Sequence, residues 1–157
     1  MIFMALREIV VEGEEILRKV SREVTVIDDR IRTLLDDMAD TMYLDHRGVG
    51  LAAVQVGMLK RIFICDIGDE TGLLEFINPV ISDMKGSVIS NEGCLSLPGK
   101  SGDVERPESL TIRALDRFGK AFELHAEGFL AICICHEYDH LDGILFIDKV
   151  RGTIDSN

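Results

Sequence analysis

Apolar positions recur at two different periods along this 157-residue chain, and the change of period divides it. Between residues 29 and 44, Ile31, Leu34, Leu35, Met38 and Met42 fall three and four apart, one apolar stripe on a helix. Asp28 or Asp29 can cap its start, and Gly48 follows its end. A shorter helix is expected at about residues 12–20. The middle of the chain shifts to extended patterns. Residues 61–67 read as a buried strand, 68–72 (Gly-Asp-Glu-Thr-Gly) as a turn, 73–77 as the next strand, closed by Asn78-Pro79, and 87–90 as another. Residues 110–116 and 121–126 alternate, with Arg117-Phe118-Gly119-Lys120 as the hairpin turn between them. Strands this short and this close in sequence favour antiparallel pairing. A helical period returns over residues 127–141, ended by Gly143. This segment is apolar nearly all round, so it belongs at the centre of the molecule. The expected fold is α+β: an N-terminal amphipathic helix, then antiparallel β-sheets packed around a central C-terminal helix, in one domain spanning residues 1–157.

Composition adds exclusions. Hydrophobic residues make up 46% and charged residues 29%, a globular balance. A chain of this length buries a core without disulfide staples. The 17 Lys+Arg against 28 Asp+Glu leave a net charge of −11. With no Trp and no basic run, direct nucleic-acid binding and binding to an anionic membrane are not expected. The longest strictly apolar run, residues 129–135, is far short of a membrane span. The start, Met1 to Leu6, meets Arg7 and Glu8 at once and has no basic n-region, so no signal peptide is expected. The four cysteines, Cys65, Cys94, Cys133 and Cys135, form no Cys-x-x-Cys pair. Free thiols in a reducing cytoplasm are the expectation.

The last helix carries the chemistry. It reads Cys135-His136-Glu137-Tyr138-Asp139-His140. Histidines four apart share a helix face and can both reach one metal ion. Glu137 is rotated by ~100° from His136 and flanks the histidine stripe. That place suits a carboxylate acting on a metal-bound water rather than on the ion. The third ligand decides the class. The pattern with a third histidine six residues beyond the second fails, because Phe146 stands there, and no Glu follows Glu137. The upstream candidates are His46, His125, Cys65, Cys94 and Cys133. Cys133 shares the helix with both histidines, and three ligands from one straight helix converge poorly. Cys94 is preferred: it sits in Asn91-Glu92-Gly93-Cys94-Leu95-Ser96, a strand end beside a glycine that admits close backbone approach. One thiolate and two imidazoles leave a fourth position open, the catalytic type of site. Phe129, Ile132 and Cys133 fall on the histidine side, as core or pocket wall. A third segment, Gly48-Val49-Gly50-Leu51-Ala52-Ala53-Val54-Gln55, puts an amide in an apolar run. Such an amide either satisfies a structural partner or donates to a developing oxyanion.

Taken together, Gly48 to Gln55, Glu92 to Ser96 and His136 to His140 resemble the three motifs of the peptide deformylases, in the same order. The similarity extends through Leu17-Arg18-Lys19 and Ile112-Arg113-Ala114-Leu115-Asp116. The resemblance implies a peptide-deformylase-like catalytic domain that removes the formyl group from N-terminal formylmethionine of newly made polypeptides, with transient proximity to the ribosome. It implies Fe²⁺ as cofactor, with Ni²⁺, Co²⁺ or Zn²⁺ able to substitute; ligand chemistry alone points to zinc. By the same resemblance Cys94, His136 and His140 hold the metal, and its hydroxide attacks the formyl carbon. Glu137 shuttles the proton, and the Gln55 amide with the Leu95 N–H stabilises the oxyanion. Val49, Gly50 and Gly93 pair with substrate backbone, and Val49, Glu92, Phe129, Ile132 and Cys133 form the methionine pocket. Arg106 is the expected ion-pair partner of Asp139. The chain departs from many relatives at Cys135, where they carry Gln, and at Ser101, where some carry Arg. It also ends soon after the catalytic helix, where many relatives continue into a further C-terminal helix, so ribosome contact through such a tail is not expected.

Overall fold

The computed structural model describes residues 6–44 and 48–156. The leader reading of residues 1–5, and His46 as a candidate ligand, lie outside them. Helix α1 is Asp29–Leu44, the span that the apolar stripe predicts. Its first free N–H groups are capped from Asp28, whose Oδ1 accepts from Arg30 N at 3.1 Å and Ile31 N at 3.2 Å. The strands are β1 (Gly50–Ala52), β2 (Ile62–Cys65), β3 (Leu74–Lys85), β4 (Val88–Cys94), β5 (Leu97–Arg106), β6 (Ser109–Leu115), β7 (Ala121–Glu127) and β8 (Val150–Ser156). Helix α2, Phe129–Leu141, lies between β7 and β8 in the chain.

All strand pairings in the two sheets are antiparallel. One sheet has the order β1-β2-β3-β6-β7, the other β4-β5-β8. Strand β2 shows why its sequence is apolar without interruption. Its alternate side chains serve two cores: Ile62 and Ile64 join Leu35, Met38 and Met42 of α1, whereas Phe63 and Cys65 join the cluster around α2. A strand buried on both faces loses polar alternation. Helix α2 packs on β1, β2 and β7. It ends at Gly143, whose left-handed φ of 73° stops it.

Three expectations are corrected. Residues 12–20 hold only a short 3₁₀ turn, Glu15–Arg18. In that turn Leu17 alone is buried, too narrow an apolar face to carry a longer helix. Strand β3 does not stop at Asn78-Pro79 but runs through it. Asn78 adopts φ 51° at a register shift between Ile77 and Val80, so proline falls at a bulge where its missing N–H costs no ladder bond. The Asn78 amide bonds Val24 twice, accepting from its N and donating to its O at 2.8 Å each. Strands β5 and β8 have no counterpart in the sequence expectation, and the strand expected at 87–90 begins at Val88 and runs on to Cys94 as β4.

Candidate active site

Two local irregularities aim the site's side chains. The pairing of β4 with β5 slips between Glu92 and Cys94, a bulge at Gly93 that turns the Cys94 thiol toward α2. Helix α2 presents His136 and His140 on one face, with ring centroids 5.3 Å apart. The Cys94 Sγ lies 3.5 Å from His140 Nε2. One nitrogen of each imidazole and this sulfur all lie within 4.8 Å of one another. Among the described residues no other group of His, Cys, Asp and Glu converges in this way. His125 sits on β7, exposed and bonded to Glu127 at 3.1 Å. Cys65 is buried beside Cys133, sulfur to sulfur 3.0 Å, and burial pushes its thiol well up.

His136 is oriented from behind. Its Nδ1 lies 2.9 Å from Glu92 Oε1, which leaves Nε2 on the side of the sulfur. Arg106 grips both oxygens of Glu92, at 2.8 and 2.7 Å, and donates to Asp139 Oδ2 at 2.8 Å. Lys149 reaches the same Asp139 oxygen at 3.0 Å. Burial raises the Glu92 carboxyl, but the bonds from Arg106 and His136 outweigh it and hold the pKa down to about 2. Glu92 borders the cavity, while its charge is turned to His136 and Arg106. This second role escaped the sequence reading, because β4, β5 and α2 meet only through tertiary packing.

Glu137 is 4% exposed, and burial raises its carboxyl to about 7. Its Oε1 has no partner, and its Oε2 lies 3.9 Å from His136 Nε2. Gln55 stands on a 3₁₀ turn, Ala53–Val56, immediately after β1. Its Oε1 accepts from Ala52 N at 2.9 Å; its Nε2 donates to Ser96 Oγ at 3.1 Å and faces Cys94 Sγ at 3.4 Å. The role of Ser96 had no signal in the sequence beyond its place in the Glu-Gly-Cys-Leu-Ser run.

A cavity of about 410 Å³ opens beside these groups. Val49, Gly50 and Gly93 border it together with Leu95, and Phe129, Ile132 and Cys133 form its α2 wall. Phe129 remains 51% exposed at the mouth. The donor set suits a divalent transition ion, since a thiolate and two imidazoles are the ligands such ions favour. The partnerless Glu137 Oε1 fits as well, because a buried carboxylate oxygen is seldom left unbonded.

Residues 6–154 match the family model described as "Polypeptide deformylase". The peptide deformylase of Acetivibrio thermocellus is 55% identical over 154 residues, 98% of this chain and 89% of that one. That of Clostridium botulinum is 58% identical over 146 residues, covering 93% of this chain and 97% of its own. A crystal structure of the Legionella pneumophila peptide deformylase superposes with a TM-score of 0.89 at 47% identity, over 94% of this chain and 87% of that one. With the match running almost end to end, this chain belongs to the polypeptide deformylase family of enzymes.

Proposed function

We propose that this chain, acting as one catalytic domain, hydrolyses the formyl amide of N-terminal formylmethionine on new polypeptides and releases formate. The observation that carries the reading is the convergence of Cys94, His136 and His140 beside a buried, partnerless carboxylate oxygen of Glu137. These three side chains would hold a divalent ion, with Fe²⁺ as the expected one and Ni²⁺, Co²⁺ or Zn²⁺ as substitutes. When bound, it supplies Lewis acidity and makes water a nucleophile near neutral pH.

The remaining work falls to the chain. Glu137 takes the proton of the attacking water and returns it to the departing amine nitrogen, so the C–N bond breaks to give formate and a free N-terminus. A carboxyl raised to about 7 is poised for both transfers. The Gln55 amide and the Leu95 N–H donate to the oxygen that gains charge at the formyl carbon. Val49, Gly50 and Gly93 offer backbone to an extended substrate, which adds as a strand at the cavity rim. Phe129, Ile132, Cys133 and Val49 give the methionine side chain an apolar wall, with Glu92 completing the pocket. Cys133 is fixed there by contact with Val49 O at 3.4 Å.

Formate release from formyl-Met-Ala by anaerobically purified, Fe²⁺- or Ni²⁺-loaded protein tests the reading, with casein as a control for endopeptidase activity. Rapid formate release with casein intact is expected; no formate would defeat it. Glu137→Ala is expected to keep the metal and lose turnover, and turnover that survived would remove the proton shuttle.

A further inference from the structure

We infer that Ser96 is a positioning residue: its buried hydroxyl fixes the Gln55 side-chain amide so that one N–H is left for the reacting oxygen. This rests on the reading of Gln55 as an oxyanion donor, and it follows from counting hydrogens. A primary amide has two N–H groups and one carbonyl oxygen. The Ala52 backbone N–H can only donate, and it lies 2.9 Å from Gln55 Oε1. That contact settles which end of the amide is oxygen. Ser96 Oγ accepts from Nε2 at 3.1 Å, and Nε2 also faces the Cys94 sulfur at 3.4 Å. The sulfur contact is the one that lies at the cavity, which Gln55 and Cys94 both border. An oxygen gaining negative charge beside Cys94 takes over that N–H, while the Ser96 bond stays and keeps the aim.

The cost of losing Ser96 Oγ follows from burial. Ser96 is 0% exposed and Gln55 1%, so no water replaces the missing acceptor. The orphaned N–H would turn about the last, broad side-chain torsion of Gln55 in search of a partner. The backbone has no reason to move with it. Glu12 N donates to Ser96 O and Val10 N to Gln55 O, both at 2.7 Å, so the segment before the first 3₁₀ turn ties down both residues independently of their side chains.

Gln55 is the sole glutamine of the chain, so labelling with ¹⁵N-glutamine yields a single side-chain amide pair. In Zn²⁺-loaded protein, S96A is expected to shift that pair and lower Tm by several degrees while metal content holds. On formyl-Met-Ala, S96A should lower kcat about 10-fold with KM unchanged, as expected for the loss of one buried hydrogen bond. Gln55→Ala alone should lower kcat by about 10²–10³-fold. Adding S96A to Gln55→Ala should then cost nothing further, since Ser96 acts only through Gln55. An unshifted amide pair, a wild-type kcat in S96A, or an undiminished S96A effect without Gln55 would overturn the proposal. A wild-type kcat in Gln55→Ala is a different failure: it removes the oxyanion reading, and the proposal with it. S96C, which fills the same space with a much weaker acceptor, serves as the second variant if S96A does not fold.

Discussion

A single missing carbon atom holds the candidate site open. A Cβ on Gly50 would lie 2.6 Å from Glu137 Oε2 and 2.9 Å from its Cδ, so the buried carboxylate lies flat against this glycine. Gly50 has no left-handed φ, so alanine could adopt its backbone without strain. The clash therefore falls on the Glu137 carboxylate, the proposed proton shuttle, rather than on the strand. Gly50→Ala is expected to stay folded, with its circular dichroism spectrum unchanged, and to lose about 10²-fold in kcat through misplacement of Glu137. Residues of this kind were partly legible in the sequence. His136 and His140 stand out because helix period alone brings them onto one face, with Glu137 beside them. The glycine before Cys94 marks the bulge that aims the thiol. The hold of Glu92 on His136 and of Ser96 on Gln55 is invisible in a linear reading, because each depends on strands and helices that meet only in the folded chain.

Among the elements, those with a clear apolar pattern, periodic or continuous, were legible and those without one were not. Helix α1 and the β6–β7 hairpin carry such patterns and fall where the sequence puts them; Asp116 ties the hairpin turn, accepting from Phe118 N and Lys120 N at 2.9 Å. Strand β8 is exposed along most of its length and β5 includes Pro98, Gly99 and Gly102, so neither displays a period to read. Yet β5 supplies Arg106, which joins β4 to α2 through Glu92 and Asp139. Removing one partner of a buried ionic network strands the others in low dielectric, at a typical cost of 3–5 kcal/mol. Arg106→Leu is therefore expected to lower the unfolding free energy by about that amount in urea titration. In the fraction that remains folded, metal affinity should drop by about 10–100-fold as His136 loses its oriented partner. Wild-type stability and affinity would show that the network is ornamental to the site.

At the scale of the whole molecule, the segment before α1 is tied to the segment after α2. The Arg18 guanidinium pairs with Asp148, and Asp148 also accepts from Leu145 N at 2.9 Å. Partial burial raises the Asp148 carboxyl, but these bonds prevail and set it below its ordinary value. A carboxylate depressed in the folded state stabilises the fold above the ordinary aspartate range, and that contribution is lost as pH falls through the folded pKa. Asp148→Asn should thus be less stable than wild type at neutral pH and lose less Tm on acidification below ~4. Parallel pH curves for the two proteins would exclude a role for this tie. Everything proposed for catalysis depends on one ion held by groups from two elements far apart in sequence. X-ray absorption of the Ni²⁺-loaded protein reads that directly: the expected inner shell contains one sulfur and two imidazole nitrogens, and the sulfur disappears in Cys94→Ala. A shell of nitrogen and oxygen alone in the wild type would contradict the account.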